Sequence, residues 1–239
     1  SLVQAKLKAV NAMCFDVSAA CSGFITALDI AASMLKAGSY KYALVIGSEK
    51  MSEIVNWKDR SVCVLFGDGA GAVVLKAVDN NTEDVTGASA GQERGIIDSN
   101  IYNDGTGASV LTGGRRFSDS RSTDIFIHMD GQEVFKFAVK SVPTAIETLL
   151  HNNNMDINDV DKFILHQANV RIIESVAKRL KADKDKFPVN LNEYGNTSSA
   201  SIPILLDELN RNGSLKQGEK LILAGFGAGL SWGSILLVW

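Results

Sequence analysis

Cys21, His166 and Asn196 are the residues of this chain whose types and settings suit covalent chemistry. Cys21 stands in Asp16-Val-Ser-Ala-Ala-Cys21-Ser-Gly-Phe24. Residues 12–17 read as a short apolar strand, three small residues make a tight turn, and residue 21 opens a helix that runs to residue 36. Phe24, Ile25, Leu28, Ala31, Ala32 and Leu35 give that helix a core-facing stripe, and Gly38 stands where a C-terminal cap belongs. A thiol in a helix's first turn lies at the positive end of its dipole, which favours the nucleophilic thiolate. By residue statistics alone, a buried structural cysteine is the commoner case. Residues 163–165 form a second apolar strand that ends on His166 and precedes a helical pattern over 170–180. Tyr194-Gly-Asn196-Thr-Ser-Ser-Ala-Ser201 leads into a helix over 202–209. A lone histidine is more often a satisfied core residue, and a lone asparagine a cap or turn. Three polar side chains, each at the end of an apolar element, argue together for a site.

Such a site needs a scaffold that brings strand ends and helix starts to one place. Residues 42–48, 61–66 and 70–78 read as strands in the first part. The second part reads as a long helix over 131–150 bent at Pro143, a strand at 162–165, two helices, and strands at 219–225 and 231–238. Val64-Leu-Phe-Gly-Asp-Gly-Ala-Gly-Ala-Val-Val-Leu75 parallels Leu223-Ala-Gly-Phe-Gly-Ala-Gly-Leu230 and the strand after it. The echo predicts two pseudo-repeated α/β halves. Residues 1–86 then carry the nucleophile, 125–239 carry the histidine and asparagine, and 87–124 connect them. That connection is rich in Gly, Ser and Asp and includes Gly113-Gly-Arg-Arg116, a length that marks a site-lining or mobile loop. Neither glycine run binds a phosphate on this reading. The phosphate-loop lysine and hydroxyl are absent and a strand follows each run, so both are expected to be tight hairpins with closely passing backbones.

Composition narrows the class. The 239 residues are 46% hydrophobic and 21% charged, enough for a sizeable core. A net charge of −3 argues against a general nucleic-acid binder. No apolar run is long enough for a membrane span, and the first residues do not read as a signal peptide. Cys14, Cys21 and Cys63 have no disulfide or metal spacing, pointing to a reducing, cytoplasmic setting. Cys14 and Cys63 fall in expected strands and are read as inert.

The blocks DVSAACSGF, LHQANVRI and YGNTSSAS, with GFGAGLSWG near the end, resemble β-ketoacyl-acyl carrier protein synthase III, and the likeness runs over residues 1–239. It implies a thiolase-like, layered α-β-α-β-α fold. It also implies that the family's first strands and helices, with part of its coenzyme A tunnel, lie upstream of Ser1; residues 1–8 resemble the middle of a helix. The implied reaction is a decarboxylative Claisen condensation of a short acyl-coenzyme A, such as acetyl-coenzyme A, with malonyl-acyl carrier protein, and it needs no cofactor.

On the family pattern Cys21 forms the acyl-enzyme, its backbone N–H and that of Ala228 hold the oxyanion, and His166 Nε2 and the Asn196 amide donate to the enolate. Arg60, Arg171 and Asn169 match coenzyme A-contacting positions, and Phe226 the acyl pocket. Lys136, Arg171, Lys178 and Arg179 match the patch offered to the acidic carrier protein, and a homodimer is expected. A Cys-His-Asn set leaves chalcone-synthase-like enzymes as the neighbouring alternative. A cysteine hydrolase and an inactive truncated paralogue are the alternatives from other classes.

Overall fold

The structure is a computed structural model that describes residues 1–78, 94–113 and 126–239. Its helices are α1 (Leu2–Lys6), α2 (Gly23–Lys36), α3 (Gly131–Asn152), α4 (Val170–Leu180), α5 (Leu191–Tyr194) and α6 (Ser201–Arg211). The strands are β1 (Tyr42–Glu49), β2 (Gly69–Lys76), β3 (Gly95–Asn103), β4 (Leu111–Thr112), β5 (His128–Met129), β6 (Lys162–Leu165), β7 (Lys220–Gly227) and β8 (Ser231–Val238). β1 and β2 pair antiparallel, β4 and β5 form a small ribbon, and the main sheet runs β3-β8-β7-β6 with one parallel pair, β6 against β7.

The main sheet is buried on both faces, and period-2 alternation divides its side chains. Phe163, Leu165, Ile222, Ala224, Phe226 and Leu236 pack with α3 and α4. Ile164, Leu221, Leu223, Ile235 and Leu237 point the other way, toward α2 and α6. Those two helices also back onto β1 and β2, giving layers in the order sheet, helices, sheet, helices. Four of the five expected layers therefore lie among the described residues. A helix–strand–strand unit occurs twice among the described residues, as α2-β1-β2 and as α6-β7-β8.

The α2 stripe is borne out: Phe24, Ile25, Leu28, Ala32 and Leu35 are buried, Ala31 packs beside them, and Gly38 follows with φ +78°. Pro143 does not end α3, which continues to Asn152.

Several expectations are corrected. Residues 12–19 are irregular, with Met13 and Phe15 more than half exposed, because no strand among the described residues offers them a ladder. Residues 60–65 are turns, and only Phe66 bridges, to Asn196. Cys14 is consequently exposed and Cys63 half-buried in a turn. The connecting region is not all loop, since β3 pairs along β8 in the main sheet. Of the GGRR stretch, residues 114–116 lie outside the described residues. The second glycine run is the expected hairpin, β7 to β8, whereas the first runs into the start of β2, after a long excursion from β1. Its close approach is real: a Cβ on Gly67 would sit 2.1 Å from the Tyr194 carbonyl oxygen.

Candidate active site

Chain ends of three strands meet the starts of two helices at one cavity. β6 ends at Leu165, and the next residue, His166, is held by its backbone N–H donating to Ala224 of β7 at 2.8 Å. β7 ends at Gly227, and β1 ends at Glu49. Cys21 sits in the 3-10 turn Ala20–Ser22 that feeds α2, and Ser198–Ala200 is the matching turn that feeds α6. Ala20 and Ser198, each in the turn of a candidate residue, hold left-handed φ values of +46° and +50°. Non-glycine residues adopt that conformation only when surrounding structure imposes it.

The cavity has a volume of about 330 Å³ and is lined by Cys21, His166, Asn196, Glu49, Ser198, Phe226 and Ala228 among others. Its remaining wall is largely apolar, including Met51, Leu111, Ile127 and Phe135, as suits an acyl chain or a thioester.

Cys21 is buried, and a Cβ on Gly227 would come within 2.9 Å of its Cβ and its backbone nitrogen. Only glycine lets the β7 turn lie against the nucleophile. A hydroxyl contact of 2.6 Å between Ser22 and Ser231 ties the same two segments, and Ser231 Oγ donates to the Ala228 carbonyl. Burial pushes the Cys21 thiol up to about 11; the Ser198 hydroxyl and the Cys21 backbone N–H pull it down, and the Glu49 charge adds to the rise. The expected thiolate bias of a helix start is therefore outweighed by desolvation in the enclosed pocket.

His166 is 1% exposed, and burial pushes it down to about 3, so the ring is neutral. Its Nδ1 lies 2.7 Å from Ser201 Oγ, and Phe226 meets the ring edge-to-face at 5.2 Å between centroids. Phe226 is thus both a core residue and a wall of the cavity.

Asn196 is gripped on both sides of its backbone: its N–H donates to Leu65 at 2.8 Å, and its carbonyl accepts from Gly67 at 3.0 Å. Its Oδ1 accepts the Ser198 backbone N–H at 2.8 Å, which leaves the Nδ2 donors for the cavity.

Sequence reasoning passed over Glu49, Ser198 and Ser201. Glu49 Oε1 accepts from Ser198 Oγ at 3.2 Å, Ser199 N at 3.3 Å and Ser199 Oγ at 2.5 Å, fastening the Asn196 turn to the end of β1. An acidic residue closing an otherwise apolar strand was the available signal.

The peripheral residues are spread out. Asn169 caps α4, its Oδ1 accepting from Arg171 N at 2.9 Å, and lines the cavity rim. Arg60 is exposed on the turn after β1, next to the cavity-lining Ser61. Arg171, Lys178 and Arg179 are exposed on α4, which packs beside α3, while Lys136 on α3 pairs with Glu133 at 2.7 Å. Among the described residues, no group of three or more His, Cys, Asp or Glu is placed to hold a metal. None of the described helices is long and apolar enough to cross a membrane.

Residues 15–94 match the family described as 3-Oxoacyl-[acyl-carrier-protein (ACP)] synthase III, and residues 150–239 match the C-terminal part of that family. The Beta-ketoacyl-[acyl-carrier-protein] synthase III of Clostridium acetobutylicum is 46% identical, over 100% of this chain and 71% of the relative. The chain belongs to the 3-oxoacyl-[acyl-carrier-protein] synthase III family. It is a condensing acyltransferase, and the family's reaction is the initiating condensation of fatty-acid synthesis. The chalcone-synthase-like alternative is not favoured.

The crystal structure of the Aquifex aeolicus VF5 synthase III superposes with a TM-score of 0.88 at 44% identity, covering 100% of this chain and 71% of that one. The Thermus thermophilus synthase III gives 0.88 at 36% identity, with the same coverage. Both carry the thiolase-like fold that the motifs implied.

Proposed function

We propose that Cys21, His166 and Asn196 divide the family's condensation into two half-reactions in the cavity they share. In the first, Cys21 Sγ attacks the thioester carbonyl of a short acyl-coenzyme A, acetyl-coenzyme A by preference. The Sγ–C bond forms, the C–S bond to coenzyme A breaks, and the thiol proton leaves with coenzyme A. The backbone N–H groups of Cys21 and Ala228 receive the oxyanion, a role supported by the contact of the β7 turn with Cys21.

In the second, malonyl-acyl carrier protein loses carbon dioxide, and the electron pair of the broken C–C bond becomes an enolate on its thioester. His166 Nε2 and Asn196 Nδ2 donate to that enolate oxygen. The enolate carbon then attacks the acyl-Cys21 carbonyl and releases the thiolate with a β-ketoacyl-carrier protein. Removing one such donor typically costs about 3 kcal/mol of the barrier.

The observation that carries this reading is the orientation of Asn196. With Oδ1 turned to the Ser198 N–H, the Nδ2 donors are the part of the amide left to face the cavity. Arg60, Arg171 and Asn169 would hold coenzyme A at the rim, and the α4 cations Arg171, Lys178 and Arg179, with Lys136, would meet the acidic carrier. A homodimer in the cytoplasm completes the reading.

The test is intact mass spectrometry with acetyl-coenzyme A, paired with a malonyl-acyl carrier protein decarboxylation assay. A single acetyl adduct on Cys21, and decarboxylation that depends on His166 and Asn196, would support it. Acetylation lost in Asn196→Ala with decarboxylation kept would reverse the assigned roles. Free acid in place of condensed product would make the protein a hydrolase.

A further inference from the structure

Ser201, 2% exposed at the start of α6, is the side chain that meets the inner nitrogen of the His166 ring. Its Oγ lies 2.7 Å from His166 Nδ1, is also placed to donate to the Ser198 carbonyl oxygen at 2.9 Å, and receives the Gln167 backbone N–H at 3.3 Å. The hydroxyl has one proton and two acceptors within reach. Those acceptors are not equally in need. The Ser198 carbonyl already accepts the backbone N–H of Ser201. The ring nitrogen is the nearer, and it is enclosed with Ser201 as its hydrogen-bond partner among the described residues. The Gln167 N–H fills one lone pair of Oγ, which steers the O–H away from that side.

We propose that Ser201 is a positioning residue for decarboxylation: its hydroxyl donates to His166 Nδ1 and so holds the single N–H of the neutral ring on Nε2, facing the cavity. A neutral imidazole is a donor at one nitrogen and an acceptor at the other, and the partner of one nitrogen selects the state of the other. Burial excludes the doubly protonated ring near neutral pH. With the proton on Nδ1 instead, Nε2 would present a lone pair to the enolate oxygen and repel it. Ser201 touches no substrate and acts only through His166. The inference rests on the donor role proposed above for His166.

Long-range proton–nitrogen spectra of histidine-labelled protein separate protonated from bare ring nitrogens. The chain has three histidines, and a His166→Gln variant identifies the relevant signals. At neutral pH, Nε2 of His166 carries the proton and Nδ1 is bare. Ser201→Ala loses that preference and decarboxylates malonyl-acyl carrier protein roughly a hundredfold more slowly, as for a lost oxyanion donor. Acetylation of Cys21 stays at the wild-type rate. Ser201→Thr, which keeps the hydroxyl, restores both the spectrum and decarboxylation.

A wild-type ring protonated on Nδ1 overturns the proposal, whatever the variants do. Equal loss of acetylation and decarboxylation in Ser201→Ala, without rescue by threonine, makes the residue structural and also overturns it. His166→Ala distinguishes the role of the ring from that of the hydroxyl behind it. If that variant decarboxylates normally, the donor reading of His166 fails. If it does not and Ser201→Ala does, the Ser201 inference alone fails.

Discussion

The units α2-β1-β2 and α6-β7-β8 have the same order of elements and opposite surroundings. β7 and β8 are buried over almost their whole length, between α3 and α4 on one face and α2 and α6 on the other. β1 and β2 alternate instead. Val45, Val73 and Leu75 turn toward α2 and α6, while Tyr42, Leu44, Ile46 and Val74 are exposed on the other face. The connections differ too. β7 returns to β8 through residues 228–230, a hairpin that presses glycine against Cys21. β1 reaches β2 only after residues 50–68, an excursion that lines the cavity and clasps Asn196. Each half thus braces one reactive residue of the other, Gly227 against Cys21 and residues 65–67 around Asn196, while His166 is held by Ala224 and Ser201 of its own half.

The sharpest way to break that symmetry is Cys21→Ala. It should abolish the acetyl adduct and condensation entirely while leaving malonyl decarboxylation measurable, because the donors belong to the other half. Loss of decarboxylation as well would show that the halves are not separable.

Gly67→Ala attacks the clasp itself. A methyl 2.1 Å from the Tyr194 carbonyl oxygen forces the backbones apart. Denaturant unfolding should register a loss of about 3 kcal/mol, the upper end of overpacking costs. Decarboxylation should fall with it as Asn196 moves.

Asn196→Ala should slow decarboxylation by roughly a hundredfold to a thousandfold with acetylation of Cys21 intact, measured as carbon dioxide release against adduct formation.

The thiol offers a finer probe. With Cys21 at about 11, its alkylation rate should climb through the alkaline range and level off only near that value. The measurement belongs in a Cys14→Ser, Cys63→Ser background. Glu49→Gln removes a negative charge that disfavours the thiolate, so the inflection should move to lower pH. An unchanged inflection would mean that the carboxylate acts only as a fastener for the Asn196 turn.

Arg171→Glu should have the smallest effect: KM values for malonyl-acyl carrier protein and for acetyl-coenzyme A each raised by up to about tenfold, lessening with salt, and the acetylation rate at saturating acetyl-coenzyme A unaltered.

Local pattern carried much of this molecule. The strands at 42–49, 162–165 and 231–238 and the helix at 170–180 are legible because apolar periodicity reflects burial on one face or on two. Cys21, His166 and Asn196 stood out because a polar residue that closes an apolar element is seldom placed there for packing alone, and the motif blocks around them named the family. The failures share a cause. Residues 12–17 and 61–66 are apolar and strand-like in composition, yet a strand exists only where a neighbouring chain supplies hydrogen bonds, and that neighbour is not encoded locally. The burial that raises the Cys21 thiol was hidden for a related reason: the helix start is visible in sequence, but desolvation is a sum over the whole enclosure. The partners of Glu49 and Ser201 lie across 149 and 35 residues of chain, which local pattern does not specify. The motif blocks were enough for the family and its reaction, and polar residues at the ends of apolar elements were enough to nominate three side chains for it. How deeply those side chains are enclosed, and which partners their polar atoms meet, depended on burial and on contacts such as Ser201 with His166, which exist only once the chain is folded.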